Sequence, residues 1–345
     1  MKRYINSIMI AAALTCSFTA CENGKWDFPD YEYSTVYFGS QTPIRTLCMG
    51  EDVNPTELDN KHQCEIVATV AGIYNNNQDV VISISVDESL CEGLTFDGVK
   101  PVLPMPSNYY TIGNEIIIPK GRVIGGTLVQ FTDAYFNDPQ TTEVTYVIPV
   151  KMNNIIAGAD SILSGTPMDG ITSPRWSHQS DWSVQPKNYV LYAVKYKNKY
   201  HSAFLRRGKD VFSGAKTGTV IRHAAYVEKD EVHEISEFVT RGLQQLQWNY
   251  VVANQNGDNI NTQLLLTFNE SDGTCIITSE AEGVKATGSG KFVSKGDKNS
   301  WGNKDRDVLY LNYTLEYDGI KCETLDTLVV RDRGMKAEWF TPVEN

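Results

Sequence analysis

The sequence predicts a mostly β protein: an N-terminal β-sandwich of immunoglobulin-like size, followed by a meandering antiparallel β-barrel or second sandwich. Three observations carry this. Apolar and β-branched residues alternate in short runs, the period of a strand with one buried face. Gly, Pro, Asn and Asp bound most of these runs. Helical patterning is confined to Asp133-Ala134-Tyr135-Phe136, one turn in a crossover, and to residues 232–239, the single helix expected in the second half.

In order, residues 35–38, 65–70, 80–86, 115–118, 127–131 and 144–150 read as strands, and their number and spacing suit a sandwich over residues 35–155. Residues 156–187 break the pattern. Gly158, Gly165, Pro167, Gly170, Pro174 and Pro186 punctuate a polar stretch that reads as the connection between two domains. Strands resume over residues 188–345, at 189–196, 203–205, 218–225, 263–268, 274–278, 290–293, 308–317, 324–331 and 337–340. Tight turns at Asp272-Gly273 and Asp318-Gly319 fit hairpins.

The amino terminus reads as that of an exported chain. Met1-Lys2-Arg3 is basic, and residues 8–14 (Ile-Met-Ile-Ala-Ala-Ala-Leu) form an apolar core too short to span a bilayer. Thr19-Ala20-Cys21 resembles the lipobox of bacterial lipoproteins, although Phe18 replaces the usual Leu. This assigns 1–20 to a signal peptide, Cys21 to lipidation and 21–34 to a lipid-anchored tether.

With a formal charge of −11 and no Lys/Arg block interleaved with aromatics, the chain is a poor match for nucleic acid. Neutral sugars tolerate such a surface. Beyond Cys21 remain Cys48, Cys64, Cys91, Cys275 and Cys322, an odd number without a Cys-x-x-Cys pair. Cys64 and Cys275, inside apolar strands, read as buried small hydrophobes.

The sequence spells out no catalytic constellation. The histidines (His62, His178, His201, His223, His233) are scattered, so neither a metal nor another cofactor is expected. Gly283-x4-Gly288 is followed by Ser289 instead of Lys, and Gly288-Ser289-Gly290 lacks the spacing of a nucleophile elbow. That glycine run reads as a bend between strands. No pair among the 42 Asp and Glu residues stands out as a glycosidase couple. The expectation is a protein that is not an enzyme.

Two sets of residues have recognition chemistry. Trp176 and Trp182 lie in the polar connection with Arg175, His178, Gln179, Asp181 and Gln185, a composition suited to stacking on sugar faces and bonding hydroxyls. The same rings would also serve to pin the connection onto a domain. Trp301, in a polar loop, is a further glycan-binding candidate. Arg206, Arg331 and Arg333 are candidates for holding an anionic ligand at a barrel mouth, since alternate strand residues share a face; an ion-pair lattice with Asp305, Asp307 or Asp332 fits them as well. Tyr109, Tyr110, Trp248 and Trp339 are expected in the core.

Several ordered motifs resemble one family. Trp26-Asp27-Phe28-Pro29-Asp30-Tyr31, Ser34-Thr35-Val36-Tyr37-Phe38, Pro43-Ile44-Arg45-Thr46-Leu47 and Gly50-Glu51-Asp52 are similar to the DUF1735-type domain of Bacteroidetes polysaccharide-utilisation lipoproteins. Residues 189–201 leading into Leu205-Arg206-Arg207-Gly208, then Gly288-Ser289-Gly290-Lys291-Phe292, Trp301-Gly302 and residues 327–334, resemble the companion DUF4361/DUF5627-type domain. Ser202 and Asn303 depart from the glycines expected there. The resemblance implies an immunoglobulin-like sandwich followed by a calycin-like β-barrel. It also implies an outer-membrane, cell-surface lipoprotein that binds glycan or supports a glycan importer and that importer's lipoprotein partner.

Overall fold

A computed structural model describes residues 31, 33–222 and 234–344. Cys21, the expected signal peptide and most of the expected tether lie outside these residues.

The fold is almost entirely β: a sandwich followed by a closed, eight-stranded antiparallel barrel. In the sandwich, one hydrogen-bonded path runs through Thr35–Tyr37, Gln63–Ala71, Ile124–Phe131, Glu115–Ile118, Val80–Val86, Tyr146–Ala157, Tyr189–Lys197 and Pro43–Cys48. Strand Gln63–Ala71 shows why it forms, with Cys64, Ile66, Ala68 and Val70 inward and intervening residues toward solvent. The path turns a corner at the single pair Gly126↔Ile117. Glycine is required there, because a Cβ on Gly125 would stand 2.1 Å from the Ile117 carbonyl oxygen. Val36, Ile66, Ile82, Val129, Ile148 and Val150 meet in the resulting core, each large side chain contributing roughly 1.5–3 kcal/mol. Asp133–Asn137 is the expected helical turn.

Strand Tyr189–Lys197, expected at the head of the barrel half, lies in this first sheet instead. It pairs antiparallel with Tyr146–Ala157 and parallel with Pro43–Cys48. Its nearly continuous apolar run is explained by burial on both faces: Val190, Val194 and Tyr196 enter the main core, while Tyr189, Leu191 and Ala193 join a smaller one with Phe96 and Phe340. Trp339, expected in the core, is 63% exposed on the short strand Glu338–Trp339. That strand pairs with the sheet edge at Pro43 and Ile44, and Glu338 bonds Lys195 at 2.8 Å, while the Trp339 ring stays on the solvent side.

The barrel runs Ser202–Gly214, Glu234–Gly242, Gln245–Ala253, Asn259–Phe268, Thr274–Ser279, Val284–Ser300, Lys304–Tyr317 and Ile320–Asp332, which closes on Ser202–Gly214. Gly218–Arg222 pairs with the far half of Ser202–Gly214. The Asp318-Gly319 hairpin is two residues long, with φ of 45° and 72°, the left-handed pair a tight antiparallel turn favours. The expected helix over 232–239 falls partly outside the described residues; from Glu234 the chain is strand. Ser236, Phe238 and Thr240 point inward and Ile235 and Val239 outward, a period of two. Gly288 and Gly290 lie inside Val284–Ser300, not at a bend between strands. A Cβ there would meet Tyr313 Cβ at 2.4 Å and Leu311 Cδ2 at 2.5 Å respectively, so the missing side chains make room for the barrel's filling.

The modules are joined at the barrel floor. Asn198, fully buried, donates to the Gly242 and Gln245 carbonyls, each at 2.8 Å, and accepts from the backbone of Tyr200 and His201. Arg333 donates to the carbonyl oxygens of Met49, Glu51, Asn198 and His201.

Candidate functional site

The connection between the modules brings Arg175, Trp176, Asp181 and Trp182 together. A short hairpin, Thr166–Pro167 with Trp182–Val184, and a single 3-10 turn, Gln179–Asp181, hold the segment. Arg175 grips Asp181 by two bonds of 2.9 Å, from Nε and Nη2, and its own backbone N–H adds a third at 3.0 Å. The guanidinium and that N–H hold the Asp181 carboxyl well below the usual carboxylate range. Arg175 Nη1 also reaches Glu344 at 3.1 Å, and Ser177 and His178 bond the same carboxylate.

The two indoles lie beside this lattice, with ring centroids 5.9 Å apart and planes 35° from parallel. Trp182 Nε1 donates to the Arg175 carbonyl at 2.8 Å. Trp176 packs edge-on against Tyr189 and lies under Lys151 Nζ at 4.9 Å. Both indoles are half-buried, so each is anchored by one side and presents part of its ring to solvent. The arrangement can stack on an apolar ligand face and offer a guanidinium, a carboxylate and an imidazole to hydroxyl groups.

The structure does not bring the remaining candidates to this place. Trp301 packs on Leu205, Val308 and Val329 outside the barrel, with the Arg306 guanidinium 4.8 Å over its ring and Arg306 Nε bonded to its carbonyl. Nor do Arg206, Arg331 and Arg333 share one mouth. Arg333 is the floor latch, and Arg331 lies 3.7 Å from Asp332. Arg206 points into the barrel, where Nε donates to Asp326 at 3.0 Å and the guanidinium stacks 4.6 Å over Trp248. Asp305 pairs with Lys298, and Asp307 accepts from Ser294.

Sequence reasoning missed Asp210, Arg222, Tyr250, Tyr313 and Asp326, which complete an ionic network around Arg206. Arg222 bonds Asp210 through Nη1 and Nη2 and Asp326 through Nη2 at 2.6 Å; Thr324 donates to Asp210 at 2.8 Å. The Tyr313 hydroxyl donates to Asp326 and lies 3.3 Å from that of Tyr250. The available signal was polar residues at inward positions of two neighbouring strands: Arg206 and Asp210 on one, Thr324 and Asp326 on the other.

Cys48, Cys64, Cys91, Cys275 and Cys322 are all free and buried, with Cys64 and Cys275 packed as expected among apolar residues. Burial pushes the thiols of Cys64, Cys91 and Cys275 up to about 12. Among the described residues no group of three or more His, Cys, Asp and Glu could hold a metal ion, and no helix is long and apolar enough to cross a membrane.

Comparison with known proteins places these modules. A model of the domain of unknown function DUF5627 matches residues 199–334, and a model described as an N-terminal domain matches residues 31–156. The DUF1735 likeness expected for the first module is not shown by these matches. A solved Bacteroides ovatus protein of unknown function is 40% identical, covering 92% of this chain and 100% of its own, with a TM-score of 0.85. A second B. ovatus protein of unknown function is 12% identical over 87% of this chain and 94% of its own, with a TM-score of 0.43. An auxiliary nutrient binding protein from Bacteroides thetaiotaomicron is 11% identical over 86% and 95%, with a TM-score of 0.34. Similarity as low as in these last two carries no inference about this chain. None of the three descriptions names an enzyme. No curated protein matches.

Proposed function

The chain belongs to the family of the B. ovatus protein with which it shares 40% identity, and for this member we propose a non-catalytic role in glycan capture at the cell surface. In this reading Cys21 carries the lipid anchor, residues 21–34 form the tether, and the modules stand outside the outer membrane beside a glycan importer and its lipoprotein partner. The observation that carries the reading is the half-exposed Trp176–Trp182 pair, 5.9 Å between centroids, with Arg175, Asp181, His178 and Glu344 bonded to one another beside it. Rigid aromatic faces with fixed polar neighbours bind sugars without losing much side-chain freedom.

Affinity electrophoresis of the mature protein through gels containing a panel of polysaccharides tests this. Retardation by at least one glycan, lost in Trp182→Ala and in Trp176→Ala while thermal unfolding stays cooperative, is the expected result. Unretarded migration through every glycan of the panel sinks it. Anchoring is tested separately by mass spectrometry of the native protein, which should find a diacylglycerol thioether on Cys21, absent in Cys21→Ser.

Exposed Trp339 on the short edge strand Glu338–Trp339 favours a second reading, assembly with the importer without sugar binding. Co-purification with importer proteins that is lost in Trp339→Ala, combined with silent glycan gels, would select it.

A further inference from the structure

Among the described residues, one pair of neighbouring barrel strands is hydrogen-bonded over only part of its length. Strand Gln245–Ala253 pairs along its whole length with Asn259–Phe268. On its other edge, pairing with Glu234–Gly242 begins only at Phe238↔Trp248. Among the described residues the backbone from Asn249 to Ala253 therefore has no ladder partner on that side. A cavity of about 380 Å³ opens there, lined by Val252 at the free edge and by Arg206, Asp210, Arg222, Tyr250 and Thr324 within. This volume is at the low end of small-molecule sites, roughly 300–1,000 Å³.

The lining is chemically mixed. Asp210 presents a carboxylate, Thr324 a hydroxyl, Arg222 a guanidinium and Tyr250 both a ring and a hydroxyl. Arg222 Nε is buried and has no hydrogen-bond partner among the described residues, an orphan donor beside groups that are otherwise bonded. An apolar occupant would desolvate these groups and return no hydrogen bonds. A small oxyanion would meet Arg222 Nε and the Lys216 ammonium but would also approach the Asp210 carboxylate. A neutral molecule with several hydroxyls meets donors and acceptors alike, and the stacked Trp248–Tyr250 rings, 4.3 Å apart, hold the Tyr250 face in place for its apolar side.

We propose that this cavity binds one neutral sugar unit, with Asp210 accepting from its hydroxyls, Arg222 Nε donating to an oxygen, and Tyr250 supplying both a stacking face and a hydroxyl. The site is on the barrel, and it stands or falls independently of glycan capture by the Trp176–Trp182 pair.

Calorimetric titration of the full mature chain with glucose, galactose, mannose and xylose, and with inorganic phosphate and acetate as anionic probes, tests the assignment. A saturable heat with at least one of the four sugars is expected. Its affinity should fall tenfold or more in Val252→Trp, which fills the cavity, and fall severalfold in Tyr250→Phe. Silence with all four sugars overturns the proposal, as does tighter binding of phosphate or acetate. Undiminished affinity in Val252→Trp also overturns it. Should Val252→Trp not fold, Tyr250→Phe, which removes a single oxygen, decides alone, and equal affinity there overturns the proposal. Polysaccharide gels run on the same variants should be unchanged, which separates this site from the surface pair.

Discussion

Arg222 Nη2 donates to Asp326 Oδ1 at 2.6 Å inside the barrel, across 104 positions of sequence. Asp326 is fully buried and also bonds Arg206 and Tyr313, so one carboxylate organises two guanidinium groups and a phenol. Breaking such a group from one side leaves uncompensated charge behind. Asp326→Ala is expected to cost about 3–5 kcal/mol, read as a lower urea midpoint at unchanged slope. A loss under 1 kcal/mol would mean that water replaces the carboxylate.

Gly208 makes the contact possible. A Cβ at this position would stand 2.2 Å from the Leu325 carbonyl oxygen and 2.5 Å from Asp326 Oδ1. Gly208→Ala is therefore expected to destabilise by about 1–3 kcal/mol and to weaken any sugar binding in the barrel cavity. Wild-type stability in this variant would show that the two strands separate freely.

Arg333 couples the modules through four carbonyl oxygens, those of Met49 and Glu51 on the sandwich side and Asn198 and His201 at the floor. Hydrogen bonds from a charged donor contribute about 1.5–3 kcal/mol. Arg333→Ala should split one calorimetric transition into two, the barrel and sandwich melting apart. A single sharp transition at an unchanged temperature would show that packing alone joins them.

His201 makes stability depend on pH. Burial, then the charges of Lys197, Arg333 and Lys195, push the imidazole from 6.5 down to about 3, and its Nδ1 accepts the Thr240 N–H at 3.1 Å. Between those values the unfolded chain binds a proton that the folded chain refuses, so stability falls as pH drops from about 6.5 toward 3. Melting temperatures from pH 7.5 to 4 should fall more steeply for the wild type than for His201→Asn. Parallel profiles would remove the histidine from the acid response.

The buried thiols should be inert while the protein is folded. A chain begun after Cys21 is expected to release no colour with an aromatic disulfide reagent in buffer, and to titrate five thiols in denaturant. Rapid reaction of one thiol in buffer would mark a locally open strand.

Much of the β architecture was legible because alternation records which face of a strand is buried. Residues 80–86 and 115–118 were read at the bounds the structure has, and the Asp318-Gly319 turn is written in its two residues. Pro43–Cys48 was missed because its partner in a parallel pair, Tyr189–Lys197, is remote in sequence. Residues 234–239 misled because Ile235 and Val239 are apolar yet exposed, while Ser236 and Thr240 are inside with Phe238.

The candidate site divides in the same way. Arg175, Trp176, Asp181 and Trp182 are close in the chain, so local composition was enough to group them. The barrel network joins residues from five strands, and Arg222 and Tyr250 resemble any other polar strand residues until closure aims them inward. By itself the sequence determined the strand-rich class, the glycine positions and the composition of the connection, since these depend on neighbours a few residues away. Only the tertiary structure decided that Tyr189–Lys197 belongs to the sandwich, that Arg333 latches the modules, and that Arg206 and Arg222 share Asp326. Register and closure bring together residues up to about three hundred positions apart, and no local pattern encodes that pairing.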